Sequence, residues 1–140
     1  MKRGAAIPIA VALTALATSI GAADAGAVDA KATAKTVRIV LKEFKLTPSF
    51  KSVPAGKVTF VVRNAGTIEH ELVVVRTNRA PGTLPVQASK AKVKDLAEVR
   101  DIQPGQTRRL TVTLTAAKYV LLCNIAGHYK AGQYAGFRAT

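Results

Sequence analysis

From Thr36 onward apolar and polar residues change places at every second position. Val37, Ile39 and Leu41 alternate with Thr36, Arg38, Val40 and Lys42, the period of two that turns one face of a strand to a core and the other to solvent. Further short segments of strand character follow at Lys57–Asn64, Glu71–Thr77, Thr107–Leu114, Lys118–Cys123 and Gly136–Thr140, with one more around Lys51–Val53. Between them stand Thr47-Pro48-Ser49, Pro54-Ala55-Gly56, Asn64-Ala65-Gly66, Pro81-Gly82 and Pro104-Gly105-Gln106, combinations that favour turns because Pro presets φ and Gly tolerates positive φ. Many short strands at this spacing predict an all-β sandwich or barrel. Gln87–Asp101 stays open, since Val93, Leu96 and Val99 could mark one face of a short helix or of an irregular strand.

The front of the chain has a different texture. Met1–Arg3 is short and positive, Ala5–Ile20 is an uncharged apolar run of 16 residues, and Ala23-Asp24-Ala25 offers small residues to a signal peptidase. Residues 1–25 therefore read as a cleavable secretory signal peptide. The competing reading, a membrane anchor, is disfavoured because the run falls short of the ~20 residues a spanning helix needs and contains Pro8. Residues 26–35, small and polar without period, read as a flexible tail, and 36–140 as one domain, a length that excludes a multidomain enzyme. The product is expected to be periplasmic or secreted, with no transmembrane segment once the leader is gone.

Basic residues dominate, with 21 Lys and Arg against 8 Asp and Glu and a formal charge of +13. Removing residues 1–25 would leave 19 basic and 7 acidic side chains, so the excess belongs to the working domain. Such a charge favours anionic partner surfaces and says nothing about fold. Lys90-Ala91-Lys92-Val93-Lys94 and Arg108-Arg109 are its densest clusters. No nucleic-acid partner is expected, because Tyr119, Tyr129, Tyr134 and the four phenylalanines are not interleaved with those clusters to provide stacking platforms.

Residues able to do metal or nucleophilic chemistry are scarce: two histidines, one cysteine, and no methionine beyond the initiator. A lone cysteine in an exported protein cannot close an internal disulfide, so Cys123 must be buried, paired or coordinated. The segment Tyr119–Gln133 runs a strand into Cys123 and places His128 five residues later among glycines. Far upstream, His70 stands at the mouth of a valine-rich strand, in Asn64-Ala65-Gly66-Thr67-Ile68-Glu69-His70-Glu71-Leu72. Two imidazoles and one thiolate suit a trigonal His₂Cys copper site with a weak axial ligand.

At this point the chain resembles the cupredoxins, the plastocyanin and azurin family of blue copper proteins. The likeness runs through Val53-Pro54-Ala55-Gly56, Asn64-Ala65-Gly66, His70-Glu71-Leu72, Pro104-Gly105-Gln106-Thr107, Tyr119–Cys123 and Gly127-His128. It implies a Greek-key β-sandwich, with one type 1 copper ion held by His70, Cys123 and His128. It also implies a one-electron carrier, not an enzyme, that cycles Cu(II)/Cu(I) between redox partners. Where the family pattern Gly-His-x-x-x-Gly-Met would place methionine, this chain has Gln133. The resemblance to stellacyanins makes Gln133 the axial ligand, and a harder oxygen donor favours Cu(II) and lowers the potential. A multicopper oxidase or nitrite reductase would need histidines that the chain lacks; copper delivery without electron transfer is the alternative function. The expected partner is a redox protein with an acidic docking surface met by a monomer, with peripheral contact to an anionic membrane surface as a further role for the basic charge.

Around the ligands, Glu69 and Glu71 are expected to point away from the imidazole and be solvated. Asn124 could stiffen the ligand loop or be an ordinary turn amide. By the same resemblance Ile125, Ala126, Gly127, Tyr129 and Ala131 form a flat docking patch around His128.

Overall fold

A computed structural model describes residues 35–140. The signal peptide assigned to 1–25 and the tail assigned to 26–35, apart from Lys35, lie outside the described residues. The strands, in chain order, are β1 (Lys35–Lys42), β2 (Lys45–Pro48), β3 (Ser52–Val53), β4 (Gly56–Asn64), β5 (His70–Arg76), β6 (Val86–Gln87), β7 (Lys90–Ala91), β8 (Ala97–Ile102), β9 (Thr107–Leu114), β10 (Ala117–Leu122) and β11 (Tyr134–Ala139). Among the described residues, one 3₁₀ turn, at Pro81–Thr83, interrupts them.

Two sheets form a sandwich. One has the order β2-β1-β4-β9, the other β3-β11-β10-β5-β8, and β6-β7 is a separate hairpin. The parallel pairs β1-β4 and β3-β11 mark the crossovers of a Greek-key arrangement. Period-two alternation fills the space between the sheets. Val37, Ile39 and Leu41 of β1 meet Val58, Phe60 and Val62 of β4, and across from them lie Leu72, Val74, Tyr119, Leu121, Phe137 and Ala139. Phe60 and Phe137 pack edge to face at 5.5 Å between centroids, the arrangement aromatic quadrupoles prefer.

The all-β expectation holds: the strand segments read from the sequence fall on β1, β4, β5, β9, β10 and β11 within two residues at each end, and the segment around Lys51–Val53 falls on β3. The unassigned stretch resolves into three strands. β8 is an edge strand on β5, with a register break between His70 and Leu72, and Asp101 at φ 52° is the extra residue of that bulge. β6 and β7 turn through Ala88 and Ser89, both at positive φ. Neither is the Asn or Gly that usually announces such a turn, so local composition gave no signal for it. β2 was also hidden, because Thr47-Pro48 reads as a turn; Pro48 is tolerated there because β2 is an edge strand.

The 3₁₀ turn and the β6-β7 hairpin cover the outer face of the second sheet. Val73, Val75, Val120 and Leu122 are buried there under Leu84, Ala91 and Tyr129. Burial on both faces explains why β5 reads Leu-Val-Val-Val instead of alternating. Among the described residues, the outer face of the first sheet has no such cover.

Candidate metal centre

Strand phase delivers the site. On β10, Tyr119 and Leu121 point inward, so Cys123, one residue past the strand, points inward too. On β5, Leu72 and Val74 are inward, which turns His70 the same way. Gln133 precedes β11 in phase with the inward Phe137 and Ala139, and the Cys123 amide donates to the Gln133 carbonyl at 3.0 Å. His70, Cys123 and Gln133 thus come from the same end of three adjacent strands, and all three are completely buried.

His128 arrives on the loop between β10 and β11. Its amide donates to the Ile125 carbonyl and its carbonyl accepts from the Gln133 amide. Gly127 (φ 87°) and Gly132 (φ 106°) take up left-handed conformations that a Cβ would strain. Tyr129 nails the loop down from outside: it is buried in the outer apolar cluster, and its hydroxyl accepts from the Leu84 amide at 2.9 Å and donates to the Pro81 carbonyl at 2.7 Å. The hairpin adds a second tether. Asn124 Oδ1 accepts from the Ala91 amide at 2.7 Å, Asn124 Nδ2 donates back to the Ala91 carbonyl at 3.1 Å, and the Gly127 amide donates to the Ser89 carbonyl.

The ligand-type atoms of His70, Cys123 and His128 all lie within 4.8 Å of one another. Cys123 Sγ is 3.3 Å from His128 Nδ1 and 4.0 Å from His70 Nδ1. The Glu71 amide points at the same sulfur from 3.4 Å. Gln133 Nε2 lies 3.0 Å from His70 Nδ1 and 3.0 Å from the Lys42 carbonyl, which leaves Gln133 Oε1 buried with no hydrogen-bond partner. Burial pushes the Cys123 thiol up to about 11. It lowers the His128 imidazole below its ordinary value, with the neighbouring His70 acting in the same direction. Metal ligation requires a neutral imidazole and a thiol that gives up its proton, and burial of His128 already favours the neutral ring. A soft sulfur, two imidazole nitrogens and an orphaned amide oxygen fit copper better than any hard divalent cation.

A model of the cupredoxin-like domain matches residues 7–133. The chain belongs to the cupredoxin family. Solved structures agree on the fold. The cupredoxin is similar to auracyanin from Roseiflexus castenholzii, with 23% identity over 76% of this chain and 98% of that one and a TM-score of 0.58. It is also similar to auracyanin B, with 22% identity over 76% and 89% and a TM-score of 0.58. Rusticyanin from Thiobacillus ferrooxidans has 19% identity over 77% and 79% and a TM-score of 0.55. No curated protein matches the chain. The cluster of His70, Cys123 and His128 in this fold is consistent with a single type 1 copper site.

Several residues around the ligands depart from expectation. Glu69 is exposed and pairs with Gln103 Nε2 at 2.6 Å, but Glu71 is not solvated. The covered outer face of β5 half-buries it, its Oε1 accepts from the Asn124 amide at 3.1 Å, and burial raises its carboxyl. Tyr129 belongs to the core and not to a surface patch. Phe44 takes its place beside His128, edge to face at 5.1 Å and 42% exposed. Asn124 proves to be a clamp between hairpin and ligand loop. The weak turn signal at Asn64 conceals a buried hub: Nδ2 donates to the Ile68 and Ile102 carbonyls, both at 2.7 Å, and Oδ1 accepts from the Gly66 amide at 2.9 Å. Sequence reasoning also passed over Glu43, whose Oε1 accepts from the Thr67 and Ile68 amides and faces His70 Nε2. Those backbone donors hold its carboxyl down at about 2. Its one trace in the sequence is isolation, as the only acid between Lys31 and Ile68.

Proposed function

We propose that this cupredoxin is an exported one-electron carrier with type 1 copper bound by His70, Cys123 and His128 and Gln133 as the axial oxygen donor. The convergence of two imidazole Nδ1 atoms and one thiol sulfur on a single buried point supports the reading. The partnerless Gln133 Oε1 supports the axial assignment, since a buried polar atom without a partner costs about 1–3 kcal/mol unless something meets it. Copper, when bound, supplies reversible one-electron exchange between Cu(II) and Cu(I).

The chain's own residues supply rigidity and exclusion of water. The Asn124 clamp, the Tyr129 anchor and the Asn64 hub hold the ligand-bearing loops from three sides, so that little reorganisation accompanies a change of charge at the site. His128 is the ligand with a solvent-facing edge, 8% exposed where the other three are sealed. Exposed Phe44, Ala126 and Ala131 make its surroundings apolar, which suits close approach of a redox partner.

The partner proposed is a protein with an acidic docking surface. On the outer face of the first sheet, Arg38, Lys42, Lys45, Lys57, Arg63 and Arg109 stand outward, with no acid among the described strand residues of that face. Their field should steer such a partner, and the association rate should fall steeply with salt. The deciding experiment is the visible spectrum of the purified protein with one equivalent of Cu(II), then after ascorbate and after reoxidation. An intense thiolate-to-copper band that bleaches and returns is expected. Absence of any such band would refute the assignment.

A further inference from the structure

Glu43 sits in the turn between β1 and β2, on the sheet opposite the one that carries His70. Its Oε1 is 2.6 Å from the Thr67 amide, 3.1 Å from the Ile68 amide and 3.3 Å from His70 Nε2. Lys42 and Lys45 flank it in sequence, yet the side chain its carboxylate faces is His70. The fit is close: a Cβ at Gly66 would overlap the carboxylate, so glycine at 66 keeps the space open. The Glu43 side chain is 32% exposed while that of His70 is fully buried, so the charge lies at the solvent edge of the site and holding it there costs little.

Two neighbours fix the state of the His70 ring. An ionised carboxylate can only accept, so the proton belongs on Nε2. On the other side the Gln133 amide nitrogen, 3.0 Å from Nδ1, can only donate, so Nδ1 must present its lone pair. Both partners, from different elements, select the same tautomer, the one whose lone pair lies on Nδ1, the nitrogen nearer Cys123.

We propose that Glu43 is a positioning residue of the metal centre, which orients His70 through Nε2, fixes its tautomer, and by its negative charge favours the more highly charged state of a bound copper ion. The part concerning copper rests on the function proposed above. An outer carboxylate on a ligating histidine strengthens the imidazole as a donor, and such partners are typically worth 10–100-fold in metal affinity.

Glu43→Gln is the informative variant, because the amide oxygen can still accept from Thr67, Ile68 and His70 while the charge is gone. Its copper band should persist while its Cu(II) affinity falls about tenfold relative to Cu(I), a rise in potential of about 59 mV for a one-electron couple. Glu43→Ala, which also loses the clamp, should bind Cu(II) about 10–100-fold more weakly. A second readout needs no metal. Nitrogen-15 NMR of the metal-free protein at pH 8 should show His70 protonated on Nε2 in the wild type, and the Nδ1-protonated tautomer should gain population in Glu43→Ala, where the Gln133 amide alone is left to oppose it. An unchanged potential in Glu43→Gln would overturn the electrostatic role, and an unchanged tautomer in Glu43→Ala would overturn the positioning role. Should the wild type take up no copper, the functional reading falls, and the tautomer measurement still decides whether Glu43 sets the ring.

Discussion

Replacing Asn64 with alanine should destabilise the metal-free protein by about 3 kcal/mol. Asn64 is fully buried at the end of β4 and makes three side-chain hydrogen bonds to the chain leading to His70 and to the end of β8. The bond to the Ile102 carbonyl is wholly buried, so its loss leaves an acceptor with no water to turn to, about 1–3 kcal/mol. The bonds to the Ile68 carbonyl and the Gly66 amide are only partly buried; water can replace them in part, and they add about 0.5–1 kcal/mol each. The backbone bonds of Asn64 to Gln106 and Gly105 survive the substitution. Thermal and urea unfolding, followed without copper because a bound ion would add its own linkage, should show Tm lower by roughly 12–24 °C, at ~4–8 °C per kcal/mol for a domain of this size. Asn64→Asp separates hydrogen bonding from packing: it keeps the volume and the acceptor for Gly66, yet sets a carboxylate against two carbonyls, and should be at least as damaging. A cost below about 1 kcal/mol for Asn64→Ala, or a tolerated Asn64→Asp, would refute the hub.

Other outcomes follow from the same geometry. Cys123→Ser should abolish the thiolate-to-copper band, while Gln133→Met should keep it and raise the potential; an unchanged potential and spectrum in Gln133→Met would remove Gln133 from the axial position. Because the thiol is pushed up to about 11 by burial and copper takes the thiolate, uptake near pH 8 should release about one proton, and apparent affinity should rise roughly tenfold per pH unit until that value is approached. Competition titrations between pH 7 and 9 check the slope, and a flat profile would contradict it. Tyr129→Phe should lose about 1–2 kcal/mol by leaving the Leu84 amide unpaired, with the copper spectrum unmoved, as urea unfolding and absorption together would show.

Much of the sandwich was legible in the chain, and the reason is local. Where a strand has one face in the core and one in water, as in β1, the period of two is written residue by residue. It fails where packing overrides it. β5 is buried on both faces, and only the hairpin that covers it explains its valines. That hairpin turns at Ala88 and Ser89, whose positive φ is imposed by pairing and by contacts to the ligand loop, not by residue preference. The ligands were legible because histidine and cysteine are so rare here that few positions could carry the chemistry. The residues that hold those ligands were not, for Glu43 meets a histidine 27 positions away and Asn64 reaches a carbonyl 38 positions away. Neither separation has a local periodicity. Tyr129 misled because a position beside a ligand says nothing about which way its ring turns.

The centre also straddles the two layers of the sandwich. His70, Cys123 and Gln133 ride on one sheet, whereas the Glu43 carboxylate and the Lys42 carbonyl that touch them ride on the other, at 3.3 Å and 3.0 Å. Hydrogen bonds weaken steeply beyond such distances, so a shear of the layers by less than an ångström would release the His70 ring and the Gln133 amide together. The colour and potential of a bound ion would then act as an optical gauge of how the sheets are aligned. Substitutions deep between the layers, or hydrostatic pressure, could be followed through the centre without any probe being attached.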